Sequence, residues 1–316
     1  MAKEKKGATD IAIYRKKNFL YFFRRDWQLY ALLVIPFLFV IVFKYLPYTG
    51  LVISFKDYKV AKGFWDSKWV GSDIFEKVFT HRNFIPSLRN TLLLNMLDLI
   101  FGFPMPIILA LLLNEIRVKW FKKISQTMLY LPHFLSWIII GALGYQLFGL
   151  NSGVINNIAE AMGNNRIPFL QEDTWWLVTY VVIGVWQTMG WGTIIYLAAI
   201  TSVNAELYEA ARVDGAGRFR QCIHVTLPCI RSTIVVLLIM NLGKVMGGSF
   251  ERVLALSNMK ATEYTTTIPV LVYQWGIGSG KFSESTALGL FQSVIGLILV
   301  LAADFVAKKL GEDGLL

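Results

Sequence analysis

The sequence predicts an all-α polytopic membrane protein with about six transmembrane helices. The 316 residues are 55% hydrophobic with a mean hydropathy of +0.51, more apolar sequence than a soluble domain of this size uses. Several apolar runs approach or reach the roughly 20 residues that a bilayer crossing takes. Between them lie polar loops whose lysines and arginines gather on one side of the count. A β-barrel would instead show short alternating segments. The formal charge of +10 would suggest nucleic acid in a soluble protein. Here basic loops held on the cytoplasmic side explain it, so no nucleic-acid partner is expected.

The first apolar run covers 27–43 and continues toward Ile53, with bends expected at Pro36 and Pro47, which bilayer helices tolerate. Lys3, Lys5, Lys6, Arg15, Lys16, Lys17, Arg24 and Arg25 precede it. The run is too long for the apolar region of a cleaved signal and reads as a retained helix. A polar connection, Lys56 to Arg89, carries Trp65, Trp69 and Phe75, residues suited to a membrane interface or a short helix lying on one. The second run, 91–113, contains Pro104 and Pro106, and a basic loop follows with Arg117, Lys119, Lys122 and Lys123. The third run is 128–148 and the fourth 175–200, with Trp175 and Trp176 at its edge as an expected aromatic belt. The fifth is 229–245 and the sixth 287–306, separated by a long stretch, Met246 to Ser285.

An even number of spans puts both termini on one side. The basic N-terminus, the Arg117–Lys123 loop, the Arg212–Arg220 loop and Lys308–Lys309 all fall there, which makes it the cytoplasm. The Lys56–Arg89 connection is a mild exception. The expected organisation is a cytoplasmic segment 1–26, a permease domain 27–310 with a cytoplasmic loop at 202–228, and a tail 311–316.

That loop is the most informative part of the chain. It reads EAARVDGAGRFRQCIHVTLP, from Glu209 to Pro228. Asn204 or Ser202 suits a helix N-cap, and Glu206 and Glu209 lie in the first turns, where the dipole favours acids. Leu207, Tyr208 and Ala211 fall at helical spacing and make a packing side. Ala210 and Ala211 let another protein approach closely. Gly215 suits a helix stop, and Pro228 marks a boundary.

Glu209-Ala210-Ala211, the spaced Gly215 and the closing Val225-x-Leu227-Pro228 resemble the EAA loop of bacterial ABC importer permeases, with Val225 where isoleucine is commoner. Further stretches are similar to the oligosaccharide permeases related to LplB, within the MalF/MalG-like carbohydrate importers. They are Arg25 to Tyr58, Trp69 to Phe79, Asn90-Thr91, YLPHFLSW (Tyr130 to Trp137), Ala287 to Val300 and Gly311 to Leu315. The resemblance implies the type I ABC importer permease fold in a bacterial cell membrane. It implies a heterodimer with a second, related permease, two ATPase subunits that bind ATP and Mg2+, and an extracellular solute-binding lipoprotein. This chain itself would bind no cofactor and be no enzyme. The implied substrate is an oligosaccharide. Glu209, Ala210, Ala211, Asp214, Gly215, Arg218, Leu227 and Pro228 would form the part that docks on the ATPase.

For the substrate, sugar sites set aromatic faces against C–H surfaces and amides against hydroxyls. Segment four offers Trp186, Gln187 and Trp191, with Gly190 and Gly192 thinning the helix beside them. Segment five offers Asn241 and Lys244, and segment six Gln292. The competing explanation for each is interface anchoring or helix–helix bonding.

Asp98 is the acid deep within a span. Alone in its segment, with Asn95 one turn away as the available partner, it is expected to be structural. The alternative is an ion-coupled secondary transporter that uses Asp98. GIGSGKFS (Gly276 to Ser283) fails the phosphate-loop pattern at Trp275 and Phe282. His81, His133 and His224 are scattered and no metal spacing or nucleophile motif is present. Cys222 and Cys229, the only two cysteines, sit in or beside the loop expected in a reducing compartment and read as bystanders.

Overall fold

A computed structural model describes residues 25–257, 263–311 and 314. Most of the basic N-terminus and of the tail lies outside the described residues. The chain falls into two compact units, 1–52 and 53–316.

The described part of the first unit is helical and belongs to the helix Trp27–Phe55. A π-helical turn occupies Ile41–Tyr45, just ahead of Pro47, and tighter 3-10 turns follow. Leu32 and Ile35 are 72% and 76% exposed on an all-round apolar surface, the form taken by a helix whose solvent is lipid.

In the second unit, Phe84–Glu115, Asp173–Thr201 and Phe282–Lys309 are each long and apolar enough to cross a bilayer. Two further helix pairs qualify only when joined. Lys119–Phe134 meets Trp137–Phe148 at 103°, and Arg218–Cys229 meets Arg231–Gly243 at 62°. The described residues thus hold four candidate crossings, or six if each bent pair counts once. The expectation of a continuous third segment is corrected: it breaks between Leu131 and Ser136. Pro132 tightens the chain into a 3-10 turn, Leu135 is extended, and Ser136 caps a new helix by accepting from Ile139 N–H at 3.4 Å. The fifth breaks at Ile230, two residues beyond Pro228.

The second crossing begins at Phe84 rather than Thr91. Its polar first turns find partners, so polarity does not end the helix. Arg89 pairs with Glu263, and Asn90 Nδ2 donates to the carbonyls of Glu263 and Thr266 at 2.7 and 2.9 Å. Within this helix a π-helical turn spans Asp98–Gly102, closed by Phe103 N–H donating to the Asp98 carbonyl at 3.1 Å. Pro104, with no N–H to continue the regular ladder, follows at once.

The stretch Met246–Ser285 contains the helices Phe250–Leu256 and Ile268–Tyr273. Val253, Leu256, Ile268 and Leu271 are buried, so these two helices pack as core. Thr91 ties it to the second crossing: its Oγ1 accepts from Ile268 N–H at 2.8 Å and donates to the Ser87 carbonyl at 2.7 Å. Thr91→Val keeps the shape but strands that buried N–H. The expected loss is about 1–3 kcal/mol, measured as a lowered Tm of the purified protein in detergent.

Trp176 is a second correction. It is 1% exposed, stacks on Tyr180 with centroids 5.1 Å apart, and donates Nε1–H to the Leu256 carbonyl at 3.1 Å. It is a core residue, because the chain from Phe250 to Leu256 covers it. Trp175 is partly exposed and packs edge-on to Phe169.

Hydrogen bonds fix which ends lie together. Ser283 bonds the backbone of Lys56 and Tyr58, beside the short strand pair Lys56–Asp57 and Lys68–Trp69, while Asp173 accepts from Glu263 N–H. The starts of three crossings therefore gather at one end. At the other, Glu115 meets Arg218 at 3.3 Å.

Candidate functional site

Two features stand out: an exposed helical loop at one end of the crossings and a cavity between them. The loop helix runs Ala205–Val213. Asn204 caps it, accepting from Glu206 N–H at 3.0 Å. Gly215 ends it at φ +76°, with Gly215 N–H on the Arg212 carbonyl at 3.1 Å and Ala216 N–H on the Ala211 carbonyl at 2.8 Å. This is a Schellman closure, and a left-handed residue at that position favours glycine. The helix is thus specified at both ends by the residues that the sequence pattern singled out. Asn204→Ala removes the cap and should cost about 1 kcal/mol, read as faster amide exchange at Glu206 and Leu207.

Glu209, Ala210, Asp214, Gly215, Arg218 and Pro228 are exposed, and Ala211 and Leu227 are half-buried. The inner side is held by Tyr208, whose hydroxyl lies 3.0 Å from Thr226 Oγ1, and by the Gln221 amide donating to the Ala216 carbonyl at 2.7 Å. Leu207, expected on the packing side, is exposed. Sequence reasoning missed Val213 and Phe219, 88% and 77% exposed beside the turn. The available signal was two large apolar residues inside a polar loop.

The cavity has a volume of about 790 Å³. Gln187, Trp191, Asn241 and Lys244 all line it. Trp186 and Gln292 are not among its lining residues. Trp186 is one residue, about 100°, around the helix from Gln187 and is 40% exposed. Gln292 abuts Gly247, where an added Cβ would sit 2.8 Å from its Nε2. His133 stacks on Trp191 with centroids 4.8 Å apart and planes at 12°, forming a flat aromatic wall.

On the same cavity lies a charged cluster absent from the sequence expectation. Asp98 is not alone. Arg252 Nη2 donates both to its carboxylate and to the Tyr180 hydroxyl. The guanidinium carbon lies 3.7 Å from the Tyr180 ring centre and 5.5 Å from that of Trp137. Asn95 turns away, donating to the Thr91 carbonyl at 2.7 Å. The partner comes from the helix Phe250–Leu256, remote in sequence, which is why the second segment by itself hides it. Gly184 makes room: a Cβ there would lie 2.8 Å from the Arg252 guanidinium carbon. Ser249, at φ +68°, is the one non-glycine residue with positive φ among the described residues, and it starts the Arg252 helix. Such strain persists where the surroundings over-determine it, and clusters at functional sites.

Known proteins share this architecture. The family profile described as "Binding-protein-dependent transport system inner membrane component" matches residues 102–312. Protein LplB of Bacillus subtilis (strain 168) is 46% identical over 292 residues, 92% of each chain. The polygalacturonan/rhamnogalacturonan transport system permease protein YteP of the same strain is 44% identical over 311 residues, covering 98% of this chain and 97% of YteP. Among solved structures, a chain of a bacterial alginate ABC transporter, in complex with an alginate pentasaccharide-bound periplasmic protein, superimposes with a TM-score of 0.86. It is 36% identical and covers 95% of this chain and 100% of that one. The chain belongs to the family of binding-protein-dependent transport system inner membrane components.

Proposed function

We propose that this inner-membrane transport component is the permease subunit of an ATP-driven importer of oligosaccharides. It forms half of the translocation pathway, pairs with a second, related permease, and is served by two ATPase subunits and an extracellular solute-binding lipoprotein. ATP and Mg2+ belong to the ATPases, and this chain binds no cofactor. Both termini and the Ala205–Val213 helix face the cytoplasm. The meeting of Arg218 with Glu115 supports that orientation, because it brings the Arg212–Arg220 loop beside the Arg117–Lys123 loop and concentrates positive charge at one membrane face.

The observation that carries this reading is the connectivity of the exposed loop. The helix Asp173–Thr201, carrying Gln187 and Trp191, leads into it, and the segment with Asn241 and Lys244 leads out. A push on Glu209–Pro228 therefore acts directly on two walls of the cavity. In the proposed cycle the loaded binding protein docks outside and ATP draws the ATPases together inside. The loop transmits that closure, and the cavity turns from inward to outward access. An ion-coupled carrier working through Asp98 is disfavoured, since that carboxylate is tied to Arg252. The test is purification of this chain from its host in mild detergent, with mass spectrometry of its companions. A second permease and an ATPase are expected. This chain alone, still able to transport without ATP, overturns the reading.

A further inference from the structure

The geometry points to Asp98 as a substrate-contacting residue: its carboxylate accepts hydrogen bonds from two neighbouring hydroxyls of a sugar ring in the cavity, with Arg252 behind it as positioning residue and counter-charge. This rests on the oligosaccharide reading and assigns one wall of that cavity a specific task.

The ion pair is asymmetric. The Asp98 side chain is 32% exposed and that of Arg252 only 5%, so of the two partners the carboxylate is the one open to the cavity. Arg252 is committed at the back, on Tyr180 and under Gly184. A carboxylate held in an ion pair is acceptor-only, and its two coplanar oxygens match the spacing of adjacent hydroxyls. The cavity's charged lining residues are Asp98, Glu251, Lys244 and Arg252. On this wall the exposed acceptor is the Asp98 carboxylate, to which hydroxyl groups can donate. His133 and Trp191, stacked on each other, line the same cavity, and an aromatic ring can pack against the C–H surface of a sugar. The π-helical turn beginning at Asp98 resets the side-chain register within the crossing, as such turns do at functional sites.

The experiment uses the complete transporter, purified with its partner permease and ATPase. Proteoliposomes supplied with the binding protein are first offered maltotriose, xylotriose, trigalacturonate and trimannuronate. The imported trisaccharide and its mono-deoxy analogues become the probes. Binding to the transporter without binding protein is followed by tryptophan fluorescence. Asp98→Asn and Asp98→Glu are each expected to weaken binding about tenfold and to erase the wild type's preference for intact sugar over analogues lacking either of two adjacent hydroxyls. Unchanged affinity and unchanged deoxy preference overturn the inference, as does a slower maximal uptake with both of these intact. Should neither variant assemble, carbodiimide labelling of Asp98 in the wild type decides. Protection by the trisaccharide supports the inference, and equal labelling with and without it overturns it. If the wild type imports none of the four sugars, the oligosaccharide reading fails and this inference fails with it.

Discussion

Gly215→Trp is expected to leave the chain folded and inserted, yet to abolish ATP-driven uptake. No atom lies within 4 Å of a Cβ placed at Gly215, so the isolated subunit has room for the new side chain. The backbone there is left-handed at φ +76°, which costs an L-residue about 1–2 kcal/mol, a strain confined to the end of one exposed helix. The larger effect is expected on docking, because an indole would project from the surface proposed to receive the ATPase. Losing one central contact of that kind removes at least ~2 kcal/mol, about thirtyfold in affinity. Retention of the ATPase subunit through purification and ATP-dependent uptake are the readouts. Normal uptake by a correctly inserted Gly215→Trp protein contradicts the docking role of the loop.

Arg252→Ala is expected to be the most destabilising single change in the cavity wall. It removes the counter-charge of the Asp98 carboxylate and one donor to the Tyr180 hydroxyl, and empties the space under Gly184. Breaking one side of a buried pair costs about 3–5 kcal/mol, read as a large fall in Tm and in yield of assembled transporter. Replacing both partners by apolar residues, Arg252→Met with Asp98→Leu, should recover much of the stability, since desolvation offsets most of a buried pair's attraction. The double variant should still lack the sugar selectivity assigned to Asp98. A stable Arg252→Ala protein would show that the pair contributes little to holding the Phe250–Leu256 helix in place.

The same two regions show what a single sequence makes legible. The helix that opens the Glu209–Pro228 loop is specified by local chemistry: a capping Asn204 and a left-handed Gly215 act on their immediate neighbours, whereas Pro228, expected as a boundary, lies inside the helix Arg218–Cys229, which ends two residues later at Ile230. The opening helix stands where the sequence puts it. The bilayer-length apolar runs were equally readable, because their signal is composition over roughly 20 residues. The cavity depends instead on which face each helix turns inward. Gln187 and Trp191, four apart, do share a wall, whereas Trp186 is one residue away and turned aside. The Asp98–Arg252 pair joins residues 154 positions apart, and no local pattern announces it. The long stretch after Met246 read as a connection because its apolar runs are short, although Phe250–Leu256 and Ile268–Tyr273 are packed as core. Breaks at Leu131–Ser136 and Ile230 were marked by Pro132 and Pro228, but bilayer helices often pass through proline, so proline alone does not measure a bend.

The most direct measurement of the central claim is uptake of a labelled trisaccharide into proteoliposomes. They would contain this chain, its co-purifying permease and its ATPase, with the binding protein outside and ATP and Mg2+ sealed inside. The account predicts accumulation that requires both ATP and the binding protein, persists with all ion gradients collapsed, and disappears with Gly215→Trp. Accumulation without ATP, driven by a proton or sodium gradient and abolished by Asp98→Asn, would contradict it.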